Sequence, residues 1–231
     1  CPMKKVKEPT PASGMQASEA LAELALNLRW SWNHASDEIW KQLNPQLWDQ
    51  TQNPWVILQT VSREKLEHLS ADPAFRKRVD ELLLETRKAV NSKGWFQKAH
   101  APSTLNALAY FSMEFMLTEG LPIYSGGLGN VAGDQLKAAS DLNVPVIGVG
   151  LLYGQGYFRQ EINLEGYQEA LHPFNDPGQL PIRPLRRPDG EWLRLLIPFC
   201  NTKLWIRCWE VQVGRRKLYL LDANDAAITP S

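Results

Sequence analysis

The chain has 231 residues, of which 44% are hydrophobic and 22% are charged, and its 25 basic side chains balance its 25 acidic ones. This length and composition are typical of a globular protein that buries a large core. A chain without net charge lacks the basic surface that general nucleic-acid binding requires, so no nucleic acid is expected as a partner.

The cysteines and the apolar runs exclude further classes of protein. Cys1, Cys200 and Cys208 form no Cys-x-x-Cys pair, and the four histidines lie far apart. We therefore predict neither a disulfide framework nor a metal site, and a reducing, cytoplasmic location is favoured. The longest apolar run, 144–153, is too short to cross a bilayer, so no membrane is expected as a partner. Residues 1–14 have no apolar signal segment and are predicted to form a disordered tail.

Residues 15–100 are predicted to form a small all-α subdomain of several short helices. Ser18 is a candidate N-cap for the first of them. Asn44-Pro45 is predicted to stop the second helix. Asn53-Pro54 and Asp72-Pro73 each place a capping side chain before a proline at the first helical position, which predicts two further helix starts.

Five tryptophans lie in this helical region, and two interpretations are open. Exposed indole rings would stack on sugars and form a carbohydrate-binding surface, whereas buried rings would fill the core between short helices. Most of the five share helix faces with leucine or isoleucine, which favours the core. They are Trp30, Trp32, Trp40, Trp48 and Trp55.

A strand, a glycine turn, a helix and a second strand are predicted in succession after residue 101. The strands are expected at 108–115 and 144–153, and the glycine cluster occupies 125–129. Gly129 or Asn130 is predicted to cap the helix between them. Its inward-facing side chains are expected to be Val131, Leu136, Ala139 and Leu142.

The remaining residues are predicted to form β-structure. The pattern indicates a strand at 157–162, a turn at 163–166, a loop at 173–190, a strand at 192–199, and a hairpin of 203–213 with 217–221. The hairpin turn carries Arg215, Arg216 and Lys217, which we interpret as a solvated turn rather than a binding patch. Because no helix is predicted after the last strand, the domain at 101–231 is expected to be incomplete.

The glycine cluster alone is a weak signal, since a tight turn with a positive φ explains it equally well. Its place between a strand and a helix favours an anion site, because backbone N–H groups and the helix dipole converge there. Gly133 falls one place too late for the dinucleotide-binding motif Gly-x-Gly-x-x-Gly. The acidic residue that would bind the ribose at the end of a second strand is also missing. No Gly-Lys-Ser/Thr follows either, so a nucleotide is disfavoured.

Around these glycines the sequence resembles a known family. The segments YFSMEF (110–115), SGGLGNVAGDQLKAASDLNVPVIGVGLLYGQGYFRQ (125–160) and LLDAN (220–224) are similar to the N-terminal domain of the α-glucan phosphorylases, which act on glycogen, starch or maltodextrin. The tryptophan-rich stretch that includes LALNLRWSWN (24–33) resembles an N-terminal extension of a prokaryotic branch of this family. The resemblance covers nearly all of the chain after residue 15.

The resemblance implies an α/β fold class, with the first part of a GT-B-type Rossmann-like N-terminal domain at 101–231, preceded by the all-α subdomain at 15–100. It implies reversible phosphorolysis of α-1,4-glucan by inorganic phosphate, which releases glucose 1-phosphate. It also implies pyridoxal 5'-phosphate, held by a lysine of a C-terminal domain that has no match here. Relatives are often dimers, so a homodimer is expected of the full-length protein.

The family's glycine loop maps onto Gly126, Gly127, Leu128 and Gly129, which the resemblance assigns to the substrate phosphate. The physical role expected from the motif is that backbone N–H groups donate to phosphate oxygens, while a side chain there would block close approach.

Four neighbouring positions qualify this transfer. Tyr110 and Glu114 match the family strand and are interpreted as supporting residues, with Glu114 orienting the loop. Asn130 stands where many relatives carry arginine, and Met116 stands where many carry tyrosine, so contacts from those positions are not carried over. Asn130 is retained only as a candidate supporting residue.

No catalytic residue is assigned, because the cofactor lysine has no match in the chain. We expect the fragment neither to bind pyridoxal phosphate covalently nor to turn over glucan. One alternative is a glycogen or starch synthase, although Tyr124 occupies the position where those enzymes carry a phosphate-binding lysine. The other alternative is a non-catalytic carbohydrate-binding module of the same fold, which the tryptophans would support.

Overall fold

The structure is a computed structural model that describes residues 17–224. The tail predicted at 1–14 lies outside the described residues, as do residues 225–231. The first described part is a series of short helices, as the capping signals predict. They are α1 (Ala17–Leu26), α2 (Asp37–Leu43), α3 (Pro45–Thr51), α4 (Pro54–Thr60), α5 (Arg63–Ala71), α6 (Pro73–Asn91) and α7 (Trp95–Ala99), with 3-10 turns at Leu28–Ser31 and His34–Ser36.

Three of the predicted helix boundaries are confirmed by their hydrogen bonds. The side chain of Asn44 accepts from the backbone N–H of Leu47 at 3.0 Å. The Asn53 side chain accepts from the N–H of Trp55 at 3.0 Å, and Asp72 accepts from that of Ala74 at 3.0 Å. In all three helices proline follows the cap, where its missing N–H costs nothing. The N-cap predicted at Ser18 is wrong, because α1 already includes Ala17.

The helical subdomain has its own buried core, built by α1, α2, α3, α4 and α6. The tryptophans belong to this core and to its junction with the sheet rather than to an open surface. Trp30, Trp40 and Trp48 are buried, and Trp32 and Trp55 are half-buried. The core interpretation is therefore confirmed. The buried cluster comprises Ala20, Leu21, Leu24, Ala25, Ile39, Trp40, Leu43, Trp48, Ile57, Phe75, Val79, Leu82 and Leu83.

Trp40 is the largest fully buried side chain, and its indole N–H donates to Ser36 Oγ at 3.2 Å. We expect Trp40→Ala to lower the free energy of unfolding by about 4 kcal/mol, since it leaves a large cavity. Trp95, which is 52% exposed, is the matched control, and its alanine variant should cost less than about 1 kcal/mol. Urea denaturation of both variants tests the assignment, and equal losses would contradict it.

The second part is a mixed six-stranded sheet. The strand order is β1–β2–β8–β7–β5, and β6 also pairs with β7. β1, β2 and β8 are parallel neighbours, whereas β7 runs antiparallel to β8, β5 and β6. A separate two-stranded sheet pairs β3 with β4. The strands are β1 (Leu108–Phe111), β2 (Val146–Leu151), β3 (Arg159–Ile162), β4 (Gln168–Leu171), β5 (Arg183–Pro184), β6 (Arg194–Phe199), β7 (Thr202–Val213) and β8 (Arg216–Asp222).

The predicted succession of strand, glycine turn, helix and strand is present as β1, α8 (Gly127–Leu142) and β2. This mixed α/β architecture agrees with the predicted fold class at the level of α/β. The first strand is shorter than predicted, because the chain leaves the sheet after Ser112, whose N–H still donates to the Val149 carbonyl at 3.1 Å. Glu114 and Met116 bond to the glycine loop instead. Ser112 Oγ donates to the Glu114 carbonyl at 2.9 Å, and the N–H of Met116 donates to the Gly129 carbonyl at 2.8 Å.

The predicted start and part of the predicted inner face of α8 are wrong. The helix begins at Gly127 with Gly126 as its N-cap, three to four residues before the predicted cap at Gly129 or Asn130. Leu136 and Ala139 are buried as predicted, but Val131 is 63% exposed and Leu142 is exposed. The physical reason is close packing, because α8 turns its small residues toward the 115–117 segment. The small buried residues of this face are Gly129, Ala132 and Gly133.

The basic β7–β8 turn is not a solvated turn, which corrects the interpretation from sequence. The guanidinium of Arg215 donates to the carbonyls of Ala89 at 2.5 Å and Asp141 at 2.9 Å, and to Ser92 Oγ at 2.8 Å. Ala89 lies in the last turn of α6, and Asp141 lies in the last turn of α8. Because the negative ends of both helix dipoles meet at this cation, Arg215 joins the helical subdomain to the sheet.

The other two basic residues of this turn, Arg216 and Lys217, also have partners. Arg216 donates to the Val144 carbonyl at 2.9 Å and to Asn143 Oδ1 at 2.6 Å. Of the three basic residues only Lys217 is exposed, and it pairs with Glu210 at 2.6 Å. The predicted hairpin itself is confirmed, since β7 and β8 pair in antiparallel register around Gly214.

Candidate functional site

Gly126 and Gly127 lie at the N-terminus of α8, where the loop that follows β1 ends. Gly126 has an extended backbone, with φ −162° and ψ −162°. Neither residue is among the glycines with a positive φ, so the tight-turn explanation is wrong for this pair. A Cβ placed on either residue would meet no atom within 4 Å. Neither backbone conformation nor packing within the described residues therefore requires glycine at these two positions.

Gly129 and Gly133 differ from this pair, because the fold itself requires them to be small. A Cβ on Gly129 would lie 2.8 Å from the Cβ of Tyr124 and 3.3 Å from Glu114 Oε2. A Cβ on Gly133 would overlap the Met116 carbonyl. The predicted loop thus divides into an open pair, Gly126 and Gly127, and a packed glycine, Gly129.

The other two positions of the predicted loop and its flank point outward. Leu128 is 56% exposed. The Asn130 side chain is exposed and forms no hydrogen bond with another side chain or the backbone among residues 17–224. Neither side chain is held by packing against the rest of the described structure.

Glu114 is placed directly beneath the loop. Its Oε2 accepts from the backbone N–H of Ser125 at 3.1 Å and of Gly126 at 3.3 Å, while Oε1 accepts from Ser125 Oγ. Hydrogen bonds from Ser125 lower the pKa of the Glu114 carboxyl below its ordinary value of 4.5, with smaller contributions from the N–H groups of Gly126 and Gly129. The carboxylate is therefore an anion that organises the loop.

The contact between Glu114 and Ser125 could not be found from the sequence. The sequence indicates Ser125 only as part of the glycine cluster, although it supplies two of the three hydrogen bonds to the Glu114 carboxylate. The two residues stand eleven positions apart, and no local rule pairs side chains at that distance across an irregular loop.

The depressed pKa of Glu114 predicts a pH dependence of stability. Because the folded protein releases this proton more readily than the unfolded chain, the hydrogen bonds stabilise the fold fully above pH 4.5. Their contribution is lost as the pH falls through the lowered pKa. We expect the difference in free energy of unfolding between the native protein and Glu114→Gln to be constant near neutral pH and to shrink in acid. Urea denaturation across this range measures it, and a difference that grows in acid would contradict the assignment.

Two amide groups remain open at the loop. The N–H of Gly129 donates to the Gly126 carbonyl at 3.1 Å, and those of Ser125 and Gly126 are taken by Glu114. Within the described part of the chain, the N–H groups of Gly127 and Leu128 have no acceptor. They stand at the positive end of a 16-residue helix, which is the arrangement that favours an anion.

The two tyrosines near the loop have structural contacts. Tyr110 is half-buried, and its ring packs edge-on against Phe115 with centroids 6.0 Å apart. The Tyr124 hydroxyl donates to Glu119 Oε1 at 2.5 Å, and burial together with this carboxylate raises the pKa of Tyr124 to about 12. Neither ring is hydrogen-bonded to residues 125–129 in the structure.

Away from the glycine loop, a cleft lies between α1, α6 and the β5–β7 edge, with a volume of about 550 Å³. Both of its arginines are in ion pairs, since Arg87 pairs with Glu23 at 2.6 Å and Arg183 pairs with Glu210 at 3.2 Å. Asn27 bonds to the N–H of Gly214 at 2.8 Å. We therefore assign no ligand to this cleft.

The described residues contain neither a cluster of metal ligands nor a membrane-spanning helix. Between residues 17 and 224, no group of three or more His, Cys, Asp or Glu side chains is placed to hold a metal ion. Cys200 and Cys208 are both free thiols. In the same range, none of the helices has the length and apolar character needed to span a membrane.

Comparison with known proteins extends these observations. A family described as a protein of unknown function, DUF3417, matches residues 16–121. A maltodextrin phosphorylase of Thermococcus litoralis is 38% identical over 206 residues, which cover 89% of this chain and 25% of that protein. A glycogen phosphorylase of Mycobacterium tuberculosis is 40% identical over 212 residues, covering 89% of this chain and 25% of its own length. A glycogen phosphorylase of Aquifex aeolicus is 35% identical over 216 residues, covering 93% of this chain and 30% of its own length.

The matched region includes the candidate site. Because 89% of the chain is covered, Glu114 and residues 125–129 fall within the similarity to the phosphorylases, whereas the DUF3417 match ends before the glycine loop. The chain spans about a quarter of the length of these relatives. The resemblance to the glycogen and maltodextrin phosphorylases that the sequence predicted is therefore confirmed, over nine tenths of this chain and about a quarter of theirs.

Proposed function

We propose that this chain supplies the phosphate-facing wall of an active site that cleaves α-1,4-glucan with inorganic phosphate and releases glucose 1-phosphate. The similarity to phosphorylases supports the reaction class. Gly126 and Gly127, together with the open N–H groups of Gly127 and Leu128, support the placement of the phosphate.

The observation that carries this proposal is the open glycine pair. A Cβ at Gly126 or Gly127 would meet nothing in the structure, so both positions leave room for a group that approaches from outside the chain. Backbone N–H groups at a helix N-terminus bind phosphate oxygens without any rearrangement. A side chain at either position would push the phosphate away from those donors.

In the proposed reaction, a phosphate oxygen attacks C1 of the terminal glucose while the bond from C1 to the leaving O4 breaks. The leaving oxygen takes up the proton that the attacking hydrogen phosphate gives up, so the shortened glucan ends in a free hydroxyl. The N–H groups of Gly127 and Leu128 would hold the phosphate in line with C1 and share its negative charge. No lysine or arginine of the described residues is hydrogen-bonded to 125–129, so the loop orients the phosphate but does not neutralise it.

Pyridoxal 5'-phosphate remains a proposal based on the resemblance alone. The described residues at the loop present amide groups and a carboxylate, but no amine that could form a Schiff base. They therefore do not fit a covalently held cofactor. A homodimer and a cytoplasmic location likewise remain predictions.

The two alternatives have less support. A synthase would need a cation at Tyr124, whose hydroxyl is instead bonded to Glu119. A non-catalytic carbohydrate module would need exposed indoles among the five tryptophans at 30–55, but Trp30 is buried and the indole N–H of Trp32 is bonded to Asp141.

An assay of the full-length protein distinguishes the three functions. With maltoheptaose and inorganic phosphate we expect release of glucose 1-phosphate. Transfer of glucose from a sugar nucleotide without phosphorolysis would favour the synthase. Binding of maltoheptaose with neither reaction would favour the non-catalytic module.

A further inference from the structure

The segment that follows β1 is joined to the glycine loop by contacts of Glu114 and its neighbours. Glu114 Oε2 lies 3.1 Å from the N–H nitrogen of Ser125 and 3.3 Å from that of Gly126. Two residues later, the N–H of Met116 donates to the Gly129 carbonyl at 2.8 Å. Gly129 packs against Glu114, with 3.4 Å between a built Cβ and the Cβ of Glu114. The carboxylate and the loop therefore form one hydrogen-bonded unit.

This unit determines which donors the loop can offer. Of the N–H groups at 125–129, Glu114 occupies those of Ser125 and Gly126, and the Gly126 carbonyl occupies that of Gly129. Only the N–H groups of Gly127 and Leu128 are left open in the described structure. Because the carboxylate is an anion, it would repel a phosphate rather than bind it, so its contribution must be to geometry.

We propose that Glu114 is a positioning residue that binds the Ser125 and Gly126 amides and thereby directs the N–H groups of Gly127 and Leu128 toward the substrate phosphate. This inference rests on the proposed phosphorolysis. It assigns Glu114 to the phosphate and not to the glucan, so the two substrates should respond differently to its loss.

The test compares Glu114→Gln with the native full-length protein. The amide side chain keeps the size of glutamate but removes the negative charge that holds the loop N–H groups. We expect the KM for inorganic phosphate to rise about tenfold. The reason is that the substitution weakens the charge-assisted hydrogen bonds that orient the loop, and with it the N–H groups of Gly127 and Leu128 that bind the phosphate. The KM for maltoheptaose should change less than twofold. Equal increases in both constants, or a fall in kcat alone, would contradict a positioning role.

Glu119→Gln is the matched control, because Glu119 is a nearby exposed carboxylate that bonds the Tyr124 hydroxyl and no loop amide. It should leave both KM values within about twofold. If it raises the KM for phosphate as much as Glu114→Gln does, loss of charge explains the effect and the inference is wrong.

A second measurement separates this inference from the proposed function. In the 231-residue chain, Glu114→Gln should shift the amide NMR signals of Gly126, Gly127 and Leu128, while Glu119→Gln should leave them in place. Absence of phosphorolysis in the native protein, with these shifts present, would overturn the function but keep the positioning contact. Native activity with unchanged kinetics in Glu114→Gln would overturn only the inference.

Discussion

Replacing Gly127 with alanine in the full-length protein should lower kcat/KM for phosphorolysis by about 100-fold and leave the fold at least as stable as before. The loss is the size expected when an oriented N–H donor is displaced from a developing charge. Stability should not fall, because a Cβ at this position meets no atom within 4 Å and Gly127 begins a helix. Alanine there lowers the entropy of the unfolded chain, which favours the folded state by up to about 1 kcal/mol.

Gly133→Ala provides the matched control in the same helix. Its Cβ would overlap the Met116 carbonyl, so this variant should lose stability whether or not phosphate is bound. Steady-state kinetics and thermal unfolding of the two variants separate the roles of the two glycines. If Gly127→Ala retains native kcat/KM, the glycine loop has no part in the reaction.

Replacing Arg215 with alanine is expected to lower the free energy of unfolding by about 3 kcal/mol. The substitution leaves the carbonyls of Ala89 and Asp141 without their charged donor, and it removes the contact with Ser92. These groups belong to α6 and α8, so the change weakens the junction between the helical subdomain and the sheet. Denaturation in urea measures the loss.

Lys217→Ala is the control for Arg215, because Lys217 lies in the same basic group but is exposed and pairs only with Glu210. An exposed ion pair is worth less than about 1 kcal/mol, so this variant should remain close to the native protein. Arg215→Lys should recover only part of the loss, since lysine cannot reach several carbonyls with one planar group. If Arg215→Ala is as stable as Lys217→Ala, the junction does not depend on this cation.

The helix boundaries that a local rule governs could be predicted from the sequence. Asn53-Pro54 and Asp72-Pro73 begin helices because the cap and the proline act within a single turn. The prediction of a solvated turn at Arg215 is wrong because the contacts of this side chain are not local. Its partners, at Ala89 and Asp141, are brought to it only by the packing of two distant helices.

The candidate site was predictable to the same extent. The position of the glycines between β1 and α8 follows from hydrophobic pattern and turn chemistry. The division into an open pair and a packed Gly129 depends on what surrounds each Cβ, which the sequence does not contain. Helical periodicity predicts Val131 on the buried face of α8. Close packing at Gly129 and Gly133 sets the orientation of the helix instead.

The central claim is that Gly127 and Leu128 present their N–H groups to a substrate phosphate. A crystal structure of the full-length protein with inorganic phosphate or glucose 1-phosphate bound tests it most directly. The account predicts that a phosphate oxygen lies about 3 Å from the backbone nitrogens of both residues, with Glu114 still bonded to Ser125 and Gly126. A phosphate bound in the active site without contact to either nitrogen would contradict it.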